Sequence, residues 1–325
     1  MKPRWTWHGG GVAAARAHFG GQDWLDLSTG INPYSWPGAS SVEVNWRRLP
    51  EEDDLRTLEA TAAAHFGADP DHVCALPGTE IGLRLIGDLL PGPARHLAPG
   101  YRTHGEVMEG GMPVARAQLA DADGATLILA NPNNPDGRLL TRATLLDLLD
   151  RRGATGWLVV DEAFADCHPA HSLAAEVAED RRLLIFRSFG KFFGLAGVRL
   201  GFLIGPRAMV ARLRERLGAW PVSAAAIAIG TAAYRDEAWI AATRARLACE
   251  AETLDRVLIR HGHRLAGACP LFRLIETDDA MALFEQLARQ AILTRPFEDN
   301  PGWLRIGLPG GEAALARLEE ALDHG

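Results

Sequence analysis

Three short polar segments of this chain have the residue types that catalysis needs, and each follows a run of apolar residues. NPNNPDG (131–137) follows TLILA, DEAF (161–164) follows WLVV, and SFGK (188–191) follows LLIF. Ligands of open α/β sheets bind beyond the carboxyl ends of the strands. Amide, carboxylate and amine groups at three successive strand ends therefore predict one shared site. Taken singly, the segments have plainer interpretations: a turn, a helix cap at Asp161 and a solvated lysine at Lys191.

The elements that would position these segments alternate between strands and helices. Apolar runs predict strands at 126–130, 157–160, 183–186 and 199–204. Apolar residues at helical spacing predict helices from Asp54 to Phe66, from about Thr79 to Pro91 with Thr79 as its cap, and from Thr141 to about Arg151. This alternation predicts an α/β fold with a mostly parallel sheet.

The two ends of the chain differ from this central pattern. The first forty residues are rich in Gly, Trp, Asn and Pro and predict an extended arm with turns rather than a packed layer. After Pro206 the pattern is helical, with a long amphipathic helix from about Asp236 to His261 and then a last α+β unit. We predict an arm (1–40) that packs with the small domain, a large domain (41–230) and a small C-terminal domain (231–325).

Composition excludes several classes of protein. The 325 residues are 47% hydrophobic and 23% charged, as in soluble globular proteins. The net charge of -7 comes without a cluster of basic residues, so neither nucleic acid nor an anionic membrane is an expected partner. The four cysteines are scattered without metal-ligand spacing, so we expect thiols and no metal. No signal peptide or membrane span is evident, and a cytoplasmic location is expected.

Together and in this order, the three segments resemble the fold type I family of pyridoxal-phosphate (PLP) enzymes. The string SxxKxxxLxGxRxG runs from Ser188 to Gly201, and the resemblance extends from His8 to about Arg305. The most similar branch contains threonine-phosphate decarboxylases and histidinol-phosphate aminotransferases. The resemblance implies PLP as cofactor, bound by the large domain, and a homodimer whose active sites are shared between subunits.

The resemblance also assigns roles to the residues of the three segments. Lys191 binds the cofactor covalently and, once released by the substrate amine, carries a proton at the substrate α-carbon. Asp161 lies beside the pyridine nitrogen and keeps it protonated. Asn134 donates a hydrogen bond to the phenolic oxygen of the cofactor.

The cofactor phosphate needs a fixed anion site, which a helix N-terminus can supply. The residues that the resemblance assigns to this site are Gly78, Thr79, Glu80, Ser188 and Arg199. A ring usually covers the cofactor face, and His104 in YRTHGE matches that position best, with Tyr101 as the alternative. A plain surface histidine is a third interpretation of His104.

Two positions depart from the pattern of the aminotransferases. Where those enzymes commonly have Tyr in DEAY, this chain has Phe164, so one hydrogen bond to the cofactor is absent. Where many relatives have RYP, whose Tyr reaches the cofactor phosphate of a neighbouring subunit, this chain has Arg48, Leu49 and Pro50. That contact is lost or replaced.

Four further residues indicate the substrate through the resemblance. Arg305 in WLRIGL matches an arginine that binds the substrate carboxylate, for which a planar guanidinium is suited. Arg295, His8 and Asn32 match positions of phosphate-substrate members and predict a phosphorylated substrate. Simple turn chemistry remains open for His8 and Asn32, and a surface salt bridge remains open for Arg295.

The features shared with the decarboxylase branch are HGG, DLSTGINP, DEAF and AWPVSAAAIA. They imply a carbon–carbon lyase of cobalamin biosynthesis that decarboxylates L-threonine O-3-phosphate to (R)-1-amino-2-propanol O-2-phosphate. The alternative is an aminotransferase that acts on histidinol phosphate or a similar amino acid. A non-catalytic binding protein is a third hypothesis, and the presence of Lys191, Asp161, Asn134 and Arg199 together argues against it.

Overall fold

The structure, a computed structural model, describes residues 8–267 and 269–323. Its α-helices are α1 (Val12–Phe19), α2 (Glu52–Phe66), α3 (Thr79–Gly87), α4 (Arg102–Glu106), α5 (Arg142–Asp150), α6 (Phe189–Phe192), α7 (Arg207–Leu217), α8 (Ala224–Tyr234), α9 (Glu237–Arg260), α10 (Ala280–Arg289) and α11 (Glu312–Asp323). Its strands are β1 (Leu25–Asp26), β2 (Val73–Leu76), β3 (Ala94–Ala98), β4 (Met112–Ala115), β5 (Thr126–Ala130), β6 (Leu158–Asp161), β7 (Leu183–Ser188), β8 (Gly201–Ile204), β9 (Arg264–Ala266), β10 (Phe272–Glu276), β11 (Ile292–Leu293), β12 (Arg295–Phe297) and β13 (Asn300–Gly307). None of the helices in this part of the chain combines the length and apolar character that a membrane crossing requires.

The described residues form two compact units. The sheet unit, as we call it, contains residues 35–134 and 139–241, and the terminal unit contains residues up to 34, 135–138 and from 242 onwards. The predicted arm, large domain and small domain, with boundaries at residues 40 and 230, stay a prediction.

The sheet unit is built on seven strands in the order β2-β8-β7-β6-β5-β3-β4. Neighbouring strands from β7 to β4 run parallel, and β8 runs antiparallel to both β2 and β7. Every residue of β5 and β6 is buried, because a strand covered on both faces by other elements has no solvent side. The predicted α/β class with a mostly parallel sheet is confirmed.

The ends of the helices follow from local sequence. Helix α2 begins with three acidic residues, which its N-terminal dipole favours, and ends at Gly67, whose φ of 70° is left-handed. Helix α5 is capped by Thr141, whose hydroxyl accepts from the Thr144 amide. The prediction that Thr79 caps its helix is wrong: Gly78 is the N-cap, Thr79 is the first helical residue, and no side chain caps this end.

The predicted extended arm contains a packed helix, so that part of the prediction is wrong. Helix α1, VAAARAHF, is rich in alanine, the best helix former, and lies between Gly11 and Gly20, which both have positive φ and mark its two ends. Strand β1 then pairs in parallel with β11, and the Phe19 ring packs edge-on against Phe284 at 6.0 Å. These contacts bury one face of the segment within the terminal unit.

The rest of the terminal unit is built on a four-stranded antiparallel sheet in the order β12-β13-β10-β9. Helices α10 and α11 belong to the same unit, so its second half has the predicted α+β character. In the register of β12 and β13, Arg295 lies opposite Arg305. The predicted long helix near residues 236–261 is α9.

Candidate active site

The sheet unit contains a cavity of about 150 Å³ beyond the carboxyl ends of β5, β6 and β7. The last residues of these strands, Ala130, Asp161 and Ser188, line it. We call it the cofactor cavity, because residues that the sequence assigned to the cofactor line it. These are Gly78, Thr79, Glu80, Asn134, Asp161, Ser188, Lys191 and Arg199. The structure therefore brings together eight of the nine residues that the sequence assigned to the cofactor. The ninth is His104.

His104 lies against Asp161 instead of lining the cavity. Its side chain is fully buried, and its Nε2 is 3.2 Å from Asp161 Oδ2. An ionised carboxylate can only accept hydrogen bonds, so Nε2 of His104 is the donor. The other carboxylate oxygen of Asp161 accepts from the Ala163 amide at 3.1 Å. Asp161 is thus fixed in direction. Of the two rings considered for the cofactor face, Tyr101 rather than His104 lines the cavity, and Phe164 lines it as well.

Tyr101 is held by the side chain of Glu80, a contact that sequence reasoning missed. The phenol donates to Glu80 Oε2 at 2.9 Å, and the hydroxyl of Thr103 and the Arg84 guanidinium also donate to this carboxylate. Burial alone would raise the pKa of Glu80, but these hydrogen bonds together lower it. Burial raises the pKa of Tyr101 to about 12. A neutral phenol therefore donates to an ionised carboxylate at the cavity wall.

The N-terminus of α3 and Arg199 form an anion site. Gly78 precedes the helix with φ of 94°, and a Cβ added to it would lie 2.7 Å from Nη2 of Arg199. A Cβ added to Gly201 would lie 2.8 Å from the Thr79 amide nitrogen. Glycine at both positions thus allows the backbone amides at the start of α3 and the Arg199 guanidinium to lie close together. These donors fit the phosphate of the expected cofactor.

We expect Gly78→Ala to raise the dissociation constant of the cofactor by about tenfold or more. The added Cβ meets Arg199 and forces a non-glycine residue to a positive φ, which costs about 1–3 kcal/mol. The measurement is a titration of apoprotein with PLP, followed by absorbance. Gly197→Ala is the matched control, because a Cβ at Gly197 meets no atom within 4 Å. Equal dissociation constants for the two variants would contradict the anion site.

A buried ion cluster joins the ends of β6 and β7. Glu162 directly follows Asp161, and Arg187 directly precedes Ser188. Nη1 of Arg187 donates to Glu162 Oε2 at 3.1 Å, and Nη2 of Arg187 donates to Asp166. All three charged side chains are at most 3% exposed. The cluster therefore fixes the backbone on both sides of the cavity. In the sequence, this cluster is indicated by an arginine directly after the apolar run LLIF.

Two of the predicted substrate residues lie side by side in the terminal unit. Arg295 and Arg305 are direct partners in the register of β12 and β13. Nη2 of Arg305 donates to the Ser28 carbonyl oxygen at 2.8 Å. Burial, and then the positive charge of Arg295, lower the pKa of Arg305 to about 9. Two arginines at directly paired strand positions favour a multiply charged anion nearby.

His8 and Asn32 belong to the same unit. His8 is exposed and begins the HGG loop, as we call residues 8–10, whose Gly10 amide donates to the Ser28 hydroxyl at 2.6 Å. Because Ser28 also contacts Arg305, the loop and this arginine share a neighbour. Asn32 is buried, and its Oδ1 accepts from the Tyr34 amide at 2.9 Å, which is the turn chemistry considered above.

Comparisons with known proteins identify a family and several relatives that this chain resembles. The family model for aminotransferase class I and II matches residues 113–324. A threonine-phosphate decarboxylase of Pseudomonas aeruginosa is 42% identical, covering 97% of this chain and 96% of that protein. A histidinol-phosphate aminotransferase of Cereibacter sphaeroides is 28% identical, covering 94% and 92%. The crystal structure of histidinol-phosphate aminotransferase from Sinorhizobium meliloti in complex with pyridoxal-5'-phosphate superimposes with a TM-score of 0.84 at 20% identity, covering 97% and 94%. The predicted fold is confirmed.

Proposed function

Because this chain belongs to the aminotransferase class I and II family, we propose that it decarboxylates L-threonine O-3-phosphate to (R)-1-amino-2-propanol O-2-phosphate. The observation that carries the proposal is the near-full-length similarity, at 42% identity, to a protein named threonine-phosphate decarboxylase. Identity to a protein named histidinol-phosphate aminotransferase is 28%, so the aminotransferase is the second candidate.

The family is one of PLP enzymes, so both the predicted family and the predicted cofactor are confirmed. When bound, PLP accepts the electron pair that remains when a bond to the substrate α-carbon breaks. The residues proposed to hold it are Lys191 by a covalent bond, Asp161 at the ring nitrogen, Asn134 at the phenolic oxygen, and Gly78, Thr79, Glu80, Ser188 and Arg199 at the phosphate. All of them line the cofactor cavity.

Two contacts of the cavity support specific roles for its residues. His104 lies 3.2 Å from Asp161 Oδ2, and this contact fixes the direction of the carboxylate that would face the ring nitrogen. Of Tyr101 and His104, Tyr101 is the ring that lines the cavity, and Glu80 fixes its phenol. We therefore assign the cofactor-covering role to Tyr101 and an orienting role to His104, in place of the covering role predicted for His104.

Substrate binding is proposed for Arg305 and Arg295. Decarboxylation breaks the bond to the carboxylate, so this group must be held in a fixed direction. Arg305 is suited to that task because strand β13 and the Ser28 carbonyl oxygen fix its guanidinium. Arg295, directly opposite, would bind the phosphate together with His8 and Asn32. After carbon dioxide leaves, the ammonium form of Lys191, or a water, would give a proton to the α-carbon.

The experiment that tests the function measures carbon dioxide release. Purified protein is mixed with PLP and L-threonine O-3-phosphate in the absence of any keto acid, and release of the gas supports the decarboxylase. If no gas forms, and amino groups are exchanged between histidinol phosphate and 2-oxoglutarate, the aminotransferase is the correct function. A protein that does not bind PLP would contradict both.

We expect Arg305→Met to weaken binding of the substrate carboxylate and Arg295→Met to weaken binding of the substrate phosphate. A charge-assisted hydrogen bond contributes about 1.5–3 kcal/mol, so each variant should lose roughly 10- to 100-fold in kcat/KM with L-threonine O-3-phosphate. With unphosphorylated L-threonine, Arg295→Met should match the wild type, whereas Arg305→Met should still lose activity. Arg264→Met, in the same sheet and highly exposed, is the matched control. Equal losses of both variants with both substrates would contradict these assignments.

The cobalamin pathway, the cytoplasmic location and the homodimer with shared active sites stay predictions. The large apolar side chains of Trp46, Leu49 and Trp220 are 79%, 61% and 59% exposed in the single chain. Apolar side chains of this size, where they form one contiguous patch, mark surfaces that a partner covers. One of the three, Leu49, is the position where the resemblance places the tyrosine that reaches the neighbouring subunit, which is consistent with the proposed homodimer.

A further inference from the structure

Ser28 takes part in four hydrogen bonds within the terminal unit. Its hydroxyl donates to Asp26 Oδ1 at 2.5 Å and accepts from the Gly10 amide at 2.6 Å. Its own amide donates to the same Asp26 oxygen at 2.9 Å. Its carbonyl oxygen accepts from Nη2 of Arg305 at 2.8 Å. One fully buried residue therefore contacts both the HGG loop and Arg305.

We propose that Ser28 is a positioning residue that holds the HGG loop in place beside Arg305. The inference rests on the proposed function, in which His8 of this loop and Arg305 bind the substrate. Its hydroxyl fixes the loop, and its carbonyl oxygen fixes the guanidinium. A displacement of Ser28 would therefore separate the two substrate-binding groups.

The direction of these hydrogen bonds is determined by Asp26. A hydroxyl has one proton to donate, and an ionised carboxylate can only accept. The proton of Ser28 therefore points to Asp26, which leaves the oxygen lone pairs for the Gly10 amide. Asp26 belongs to β1, which pairs with β11, so the hydroxyl is oriented by the sheet rather than by the loop.

The HGG loop also packs directly on the carbonyl oxygen that binds Arg305. A Cβ added to Gly9 would lie 2.4 Å from this oxygen and 3.1 Å from Cγ2 of Thr29. Glycine at this position therefore allows the backbone of the loop to approach Ser28 closely. On the other side, the Leu27 amide donates to the Leu293 carbonyl oxygen at 2.7 Å and anchors the segment.

The test compares Ser28→Ala with the wild type as holoenzymes. Hydrogen exchange of the Gly10 amide should be faster by about tenfold, because this half-buried donor loses its acceptor. The amides of Leu25 and Leu27, which donate to Ala291 and Leu293, should keep their protection. KM for L-threonine O-3-phosphate should rise by about tenfold. The absorbance and dissociation constant of the cofactor should not change, since the cavity that holds it lies in the sheet unit.

A double variant separates positioning from a general structural effect. If Ser28 acts through the loop, Ser28→Ala should raise KM no further once His8→Ala has removed the side chain that the loop presents. Additive effects on KM, or an unchanged exchange rate of the Gly10 amide, would overturn the inference. A wild-type protein that does not act on L-threonine O-3-phosphate would contradict the proposed function instead, and the Gly10 exchange rate would still decide the role of Ser28.

Discussion

Lys191→Ala is expected to lower carbon dioxide release by about four orders of magnitude, the upper end of the effect of a proton-transferring group. The variant lacks both the covalent bond to the cofactor and the amine proposed to protonate the α-carbon. The lysines of this chain are Lys2 and Lys191, so Lys2→Ala is a matched control that should retain the wild-type rate. The initial rate of gas release, measured with saturating PLP, checks this result.

The same pair of lysines allows a chemical test of the attachment site. Borohydride reduction of the wild-type holoenzyme should leave the mass of the reduced cofactor on the peptide that contains Lys191. Mass spectrometry of the digested protein measures it. Activity of Lys191→Ala at the wild-type rate, or a label found on Lys2, would contradict the assignment.

Arg187→Met is expected to lower the free energy of unfolding by about 3–5 kcal/mol. The substitution leaves the buried carboxylates of Glu162 and Asp166 without the guanidinium that compensates their charge. His65, 3.0 Å from Asp166, can offset part of this loss when it is protonated. Chemical denaturation measures the effect, and the cofactor spectrum reports whether the ends of β6 and β7 have moved.

A surface pair provides the control for Arg187→Met. Arg289 forms an exposed ion pair with Glu285, so Arg289→Met should change the free energy of unfolding by less than about 1 kcal/mol. Burial raises the pKa of Glu162, so the folded chain binds this proton more tightly than the unfolded chain does. That contribution to stability is present at acidic pH and lost as pH rises through the folded pKa. Arg187 lowers the pKa of Glu162, so its removal should raise that pKa further, and Arg187→Met should be less destabilising in mildly acidic than in neutral buffer. Equal effects of the two arginine substitutions would contradict the proposed importance of the cluster.

The cofactor cavity could be predicted from sequence because its parts are local. Asn134, Asp161 and Lys191 each follow a strand that its apolar run reveals, and parallel strands bring their carboxyl ends to one edge of the sheet. Which of Tyr101 and His104 lines the cavity could not be predicted in this way. They are three residues apart near the short helix α4, and its orientation decides which ring lines the cavity.

Contacts between distant parts of the chain were also missed. Ser28 and Arg305 are 277 positions apart, and nothing in the composition of either segment indicates that they meet. The ion pair of Glu162 with Arg187 depends on the side-by-side pairing of β6 and β7, which sequence predicts in type but not in register. Helix α1 was missed because glycine-rich segments surround its eight residues.

The central claim is that this member of the family removes a carboxylate rather than transferring an amino group. The most direct measurement is the number of product molecules formed per enzyme with L-threonine O-3-phosphate as the sole substrate and no keto acid. A decarboxylase needs no amino acceptor, so we predict many turnovers of carbon dioxide and aminopropanol phosphate by the wild type, and release slower by about four orders of magnitude by Lys191→Ala. A reaction that stops after about one equivalent without carbon dioxide, and resumes when 2-oxoglutarate is added, would contradict the claim.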